Sequence, residues 1–181
     1  MTTVRGRRTG SAQRSVCSVV RGVGASALGT LAMDASLYRR YRHDGGKTGF
    51  PGWESSEGLR SWKDAPAPAL VAKHLLDRVL GHEVSPRYAR LLNNVTHWGF
   101  GLANGAGYGV LGARRRPKLW VGLPFGAAVW ASGYIVLPLL GVYEPIWKYD
   151  LVTLRKDLSA HLVFGTATAT AFRILGPAVD K

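Results

Sequence analysis

Long apolar runs alternate with short basic stretches along this chain, and these runs have the length of membrane-spanning helices. The clearest run is residues 119–143, which contains no acidic or basic side chain. A helix needs about 20 predominantly apolar residues to cross the roughly 30 Å hydrocarbon layer of a bilayer. Pro124 and Pro138 are compatible with such a helix, because neighbouring helices can satisfy the backbone groups that proline frees. The pattern predicts a transmembrane helix at about 119–141.

Three further segments are predicted to span the membrane: 16–38, 88–112 and 158–176. Ser85 followed by Pro86 is a typical helix start, which places the beginning of the second span before the bilayer core. The first span has the weakest apolar pattern, because it contains Arg21 and Asp34. The chain therefore divides into a basic tail at 1–15 and one transmembrane domain at 16–178.

The N-terminal region has an alternative interpretation as a secretory signal. Residues 1–27 combine a basic start with the small-residue sequence Ala25-Ser26-Ala27, which resembles a cleavage site. Arg21 interrupts the apolar part of that segment. This interruption favours a membrane span over a cleaved signal.

The long segment at 39–85 is rich in glycine, proline and charge and contains one helical pattern. Its apolar positions share one helix face: Val71, Ala72, Leu75, Leu76, Val79 and Leu80. Pro68 marks the start of this helix and Gly81 its end. We expect an amphipathic helix that lies on the membrane surface or caps the bundle.

The distribution of charge favours a membrane topology over nucleic-acid binding. The formal net charge is +13, but the basic residues lie largely outside the apolar runs and accompany no nucleic-acid-binding motif. The short turn at 113–118 carries four basic residues, which places it in the cytoplasm by the positive-inside rule. Four spans then put both termini in the cytoplasm, although Arg39, Arg40 and Arg42 conflict with this orientation. We expect a multi-pass membrane protein with both termini in the cytoplasm.

Polar residues and glycines share one face of the second span. The residues that recur there at intervals of four are Asn93, His97, Gly101, Gly105 and Gly109, with Asn104 close beside them. Similar spacing occurs at Gly22, Ser26 and Thr30, at Gly122 and Gly126, and at His161, Gly165 and Ala169. Small residues at this spacing let helix backbones approach closely, and Asn or His can hydrogen-bond to another helix. We predict tight helix packing at these glycines.

Ionisable residues within the spans are the candidates for function, because a charge in the bilayer is costly. In the predicted topology Asp34, His97 and His161 fall toward the outer half of the membrane, with Asp157 and Glu144 just beyond it. Three interpretations stay open: hydrogen bonds between helices, a proton- or ion-handling site, and a metal or haem site. The histidines show no known ligand spacing, so no metal site is predicted.

The second half of the chain has a recognisable order of motifs. NNVTHWGFGLANGAGYGVL is followed by a basic turn, KLWVGLPFGAAVW, YIVLPLLGVYEPIW and DLSAHLVFG. This order, over about residues 90–175, resembles the YagU-like family of uncharacterised bacterial inner-membrane proteins. The matched positions are Asn93, His97, Pro138, Gly141 and His161. The resemblance implies a helical inner-membrane protein and no defined activity.

The expected fold is all-α, an integral membrane bundle of four transmembrane helices with one amphipathic interfacial helix. No phosphate-binding glycine loop, nucleophile elbow or metalloprotease motif occurs in the sequence, so we expect no enzyme, no catalytic residue and no cofactor. The leading hypothesis is proton- or ion-linked transport or a channel component. Its partners would be the lipid bilayer and a homo-oligomer or larger membrane complex. A structural or accessory subunit of such a complex is the alternative, and a membrane enzyme is third.

Overall fold

Helices form all the regular secondary structure in the part of the chain that the structure describes, which confirms the all-α prediction. The computed structural model describes the backbone of residues 4–114 and 118–176, and side chains at 13, 15–112 and 118–176. Its α-helices are α1 (Val4–His43), α2 (Phe50–Glu54), α3 (Ala67–Leu80), α4 (Ala89–Arg114), α5 (Gly122–Leu139) and α6 (Leu151–Ile174). Most side chains of the basic tail, and residues 115–117 of the basic turn, lie outside these ranges.

The four long helices form an antiparallel bundle in which α1 packs along both α4 and α6, and α5 packs against α6. The bundle has two distinct ends. At the turn end, α4 is followed closely by α5. At the loop end lie α2, α3 and the α5–α6 connection, which closes with 3₁₀ helix Ile146–Lys148. Tyr108 of α4 joins the helices across the centre, since its ring lies 4.8 Å from Phe125 and 5.3 Å from Phe172.

Two long helices have the length and apolar composition of a membrane span: Ser15–His43 within α1, and Leu119–Leu139 at α5. A buried helix of a soluble protein can have the same composition, but only 33% and 22% of the most apolar 18-residue stretch of these two helices is buried within the chain. Helices α4 and α6 are long enough, at 26 and 24 residues. Because of their polar residues, α4 and α6 do not meet the composition criterion for a membrane span. Two candidate spans are therefore identified, and the four-span bundle stays a prediction.

The helix boundaries follow local chemistry that periodicity alone does not reveal. Helix α6 begins at Leu151 instead of near 158, because the Asp150 carboxylate accepts hydrogen bonds from the Val152 and Thr153 amides at 2.8 and 2.9 Å. Helix α1 continues to His43, beyond the predicted end at 38. Both extensions lengthen the bundle at its loop end.

The predicted amphipathic helix is confirmed as α3, which ends at Gly81 in the left-handed conformation with φ of +71°. It packs against α4. Leu75, Val79 and Leu80 stay exposed, so its apolar face is only partly covered by the bundle. One side of α3 therefore packs on the bundle, while the other presents apolar side chains, and its place at a membrane surface stays a prediction.

Small residues from α1 and α4 meet in a ladder along the bundle. The α1 side of the ladder consists of Ser18, Gly22, Ser26 and Thr30, and the α4 side of Gly109, Gly105 and Gly101. A side chain at Gly105 would collide with Ser26 and the Gly22 carbonyl, and one at Gly101 with the Thr30 hydroxyl. The ladder therefore brings these two backbones into close approach.

A second ladder joins α5 to α6. A side chain at Gly122 would meet the Gly165 carbonyl, and one at Gly126 would meet the His161 carbonyl. Gly165 in turn lies against Gly122 and Gly126. All six glycines that the sequence singled out for packing thus lie at helix–helix contacts within one protomer.

Replacing Gly105 should destabilise the bundle, whereas the same replacement two residues away should not. In Gly105→Val the new side chain overlaps Ser26, at a cost of about 1–3 kcal/mol for overpacking. Gly107 lies in the same helix with open space around its Cα. Thermal unfolding in detergent should therefore show a lower Tm for Gly105→Val than for Gly107→Val. Equal Tm values for the two variants would contradict the ladder.

Candidate functional site

Asp34 and His97 continue the α1–α4 ladder by one turn at the loop end. Asp34 follows Thr30 and His97 precedes Gly101, each by four residues. The Nε2 atom of His97 lies 3.1 and 3.0 Å from the two carboxylate oxygens of Asp34. Asp34 is 2% exposed, so its carboxylate lies inside the bundle. The structure therefore brings together two of the residues that the sequence marked as intramembrane candidates.

Glu54, at the end of α2, adds a second carboxylate to this pair. One ligand atom from each of Asp34, Glu54 and His97 lies within 4.8 Å of the other two. The Glu54 Oε1 atom is buried and has no hydrogen-bond partner in the described chain. Burial and the neighbouring Asp34 carboxylate raise the pKa of Glu54 above its ordinary value. These three residues, hereafter the acid–histidine cluster, offer two oxygens and one nitrogen to a cation.

Aromatic packing fixes α2 against the end of α1. The Tyr38 ring lies 5.2 Å from Phe50 and 5.5 Å from Trp53, between ring centroids. The Tyr41 hydroxyl accepts hydrogen bonds from the Lys47 and Thr48 amides, both at 3.1 Å. These contacts fold the α1–α2 loop back over α1 and place Glu54 next to Asp34.

Polar side chains of α4 hold the other side of the Glu54 loop. Asn93 donates to the Ser56 hydroxyl at 2.8 Å, while Arg90 and Asn94 donate to the Ser55 carbonyl at 2.9 and 3.0 Å. Ser56 has a φ of +51°, an uncommon conformation for a residue other than glycine. Such strain persists where surrounding contacts over-determine the backbone. These bonds hold Glu54 at the start of α4, one turn from His97.

A second acid–histidine pair lies on α6. The Nδ1 atom of His161 is 3.0 Å from the Asp157 carbonyl and 3.4 Å from its carboxylate. Tyr134 and Trp130 of α5 lie beside the same carboxylate. The contacts at Nδ1 leave Nε2 as the ring nitrogen that is available to a ligand. This pair lies at the loop end of the α5–α6 ladder, as His97 does on the α1–α4 ladder.

One cavity of about 350 Å³ connects the two pairs. His97, Asp157 and His161 line it together with mainly apolar side chains of the long helices, and Pro68 and Val71 of α3 form part of its wall. His97 and His161, which the sequence suggested could meet, therefore line one shared cavity.

Two polar residues that the sequence marked form local contacts. The Asn104 amide donates to the Phe100 carbonyl at 2.9 Å within its own helix. Glu144 forms an exposed pair with Lys148 at 2.8 Å. A side chain that can satisfy its polar atoms locally or in solvent has no need of a partner in the bundle.

Below the cavity, the turn end is filled by a close-packed core. Its buried members are Ala25, Tyr108, Ala169, Ala171 and Phe172, with Val121 and Phe125 packed against them. Arg21 lies over the Phe172 ring at 3.6 Å from the centroid, which explains how the first long helix accommodates this charge. The cavity therefore belongs to the loop end and has an aromatic floor.

Comparison of the chain with protein-family models, curated proteins and solved structures finds no match. Inferences about function therefore come from the geometry of the acid–histidine cluster and its cavity.

Removing the Asn93 amide should loosen the Glu54 loop. Asn93→Ala loses the bond to Ser56, and a hydrogen bond of this kind contributes about 1 kcal/mol. We expect hydrogen exchange at residues 50–58 to become roughly fivefold faster, since 1 kcal/mol changes an opening equilibrium by about that factor. Asn104→Ala is the matched control, because its amide bonds only within α4. Equal exchange in both variants would show that Asn93 does not hold the loop.

Proposed function

We propose that this protein is a multi-pass membrane protein that handles a cation or proton at the loop end of a four-helix bundle. The observation that carries this proposal is the shared cavity, where His97 and His161, each paired with an acid, line one largely apolar space. Ionisable groups in such surroundings are costly and are functional candidates by default. Convergent polar groups in an apolar cavity are also the usual form of a ligand site.

The exposed side chains support a membrane setting for all four long helices. Large apolar residues are exposed on each of them, including Val20, Val95, Ile135 and Ile174. A water-soluble bundle would turn such residues inward, and an exposed apolar surface of this extent fits contact with lipid. The proposal therefore extends membrane spans to α4 and α6, as in the bacterial YagU-like proteins that the sequence resembles.

The proposed orientation keeps the termini in the cytoplasm of an inner membrane and the loop end outside. Arg40 is one of the residues that conflicted with this topology. Its guanidinium donates to the Lys156 carbonyl at 2.6 Å and to the Ser159 hydroxyl at 2.7 Å. Because these bonds join α1 to α6, Arg40 has a structural use at the outer surface. This structural role makes the charge of Arg40 compatible with the proposed orientation.

Transport across the membrane would require movement or assembly. An aromatic core lies between the cavity and the turn end. The predicted glycines are occupied within the protomer, whereas Gly99, Ala103 and Gly107 form an exposed small-residue face on α4. We propose that a homo-oligomer or larger complex packs there. The closed floor also favours the second candidate, an accessory subunit that binds an ion without conducting it.

Proton and cation flux through liposomes tests the transport hypothesis. We expect flux from the parent protein to fall about tenfold in His97→Gln and His161→Gln, because glutamine keeps a hydrogen bond but lacks the imidazole that binds a cation or carries a proton. His82→Gln is the control, since His82 is exposed outside the cavity. A folded parent that supports no flux would overturn transport and favour the accessory subunit.

A further inference from the structure

We propose that the acid–histidine cluster of Asp34, Glu54 and His97 binds a divalent first-row transition metal ion. This inference rests on the proposed function, because it names the class of cation that the cavity handles. The three residues come from separate elements, α1, α2 and α4, so the fold assembles the cluster from distant parts of the chain.

The charges of the cluster favour a divalent ion. Asp34, which is buried, and Glu54, which is half-buried, place two carboxylates close together, where like charges repel. A protonated His97 can neutralise only one of them. Two basic side chains of the loop end are engaged in other bonds, because Arg40 bonds to α6 and Arg90 to Ser55. A divalent cation bound by both carboxylates and a neutral imidazole gives a site with no net charge.

The spacing of the ligand atoms also fits a metal ion. Bonds of about 2.0–2.2 Å to nitrogen and oxygen hold the donors of one ion within about 4.4 Å of each other. In the cluster all three ligand atoms lie within 4.8 Å of one another, and His97 Nε2 lies 3.0 Å from an Asp34 carboxylate oxygen. Small side-chain shifts, which flexible carboxylates provide, would close the set around one ion. Because His97 lines the cavity, a water molecule or an exchangeable ligand can reach the bound ion from the cavity.

The donor types decide the class of metal. Magnesium and calcium prefer oxygen ligands alone, whereas one imidazole with two carboxylates suits zinc, manganese or ferrous iron. The buried and unpartnered Oε1 of Glu54 is a free acceptor within the cluster. The hydrogen bonds that fix Ser55 and Ser56 to α4 hold the Glu54 backbone in place before an ion arrives. This is the support that a preorganised metal site requires.

Metal binding to the full-length protein in nanodiscs tests the proposal. After removal of metals with a chelator, we expect titration calorimetry to show one Zn²⁺ per chain in the parent. Glu54→Gln and His97→Gln should each weaken binding by about tenfold or more, as expected for loss of a direct ligand. Glu57→Gln is the matched control, because this exposed carboxylate lies three residues from Glu54 on the same loop.

Electron spin echo spectroscopy with Mn²⁺ supplies a readout that a folding defect does not imitate. Nitrogen modulation from an imidazole ligand should be present in the parent and in Glu57→Gln, and lost in His97→Gln. A folded parent without saturable Zn²⁺ binding, or a Glu54→Gln variant that binds as tightly as Glu57→Gln, would overturn the metal site. Flux without metal binding leaves transport intact and refutes the metal, whereas 1:1 binding without flux supports the metal and refutes transport.

Discussion

The contact between Asp34 and His97 is the interaction on which the rest of the structure depends. A carboxylate that is 2% exposed inside an apolar bundle needs a partner, because an unpaired buried charge costs several kcal/mol. His97 provides that partner from the neighbouring helix at 3.0 Å. The pair therefore fixes the register of α1 against α4. Glu54 lies close to this pair and completes the acid–histidine cluster.

The two small-residue ladders explain why the polar groups converge at one end. Glycine and serine contacts hold α1 close to α4, and glycine contacts hold α5 close to α6, toward the turn end. At the loop end larger side chains succeed the small ones, including His97 on one ladder and Tyr134 on the other. The resulting space is the cavity of about 350 Å³. The change from small to large side chains along each ladder therefore explains two features. It gives close packing at the turn end and leaves space beside an acid–histidine pair at the loop end.

The sequence predicted the helices, their glycine spacing and the candidate residues Asp34, His97 and His161, because these features follow helical periodicity. It did not predict Glu54, which ends the short helix α2, because the position of α2 depends on aromatic packing and on hydrogen bonds from α4. Asn104 shares a sequence pattern with His97 but bonds within its own helix, and only the packed structure shows which partner its amide has. Hydropathy gave four spans, whereas two helices meet the criteria for a membrane span by length and composition.

A double-mutant cycle on Asp34 and His97 tests the central interaction most directly. Reversible unfolding in detergent, with metals chelated, would give the unfolding free energies of the parent, Asp34→Asn, His97→Gln and the double variant. We expect the double variant to lose less stability than the two single losses added together, by about 0.5–3 kcal/mol. Strictly additive losses would show that the two side chains do not depend on each other and would contradict a stabilising Asp34–His97 pair.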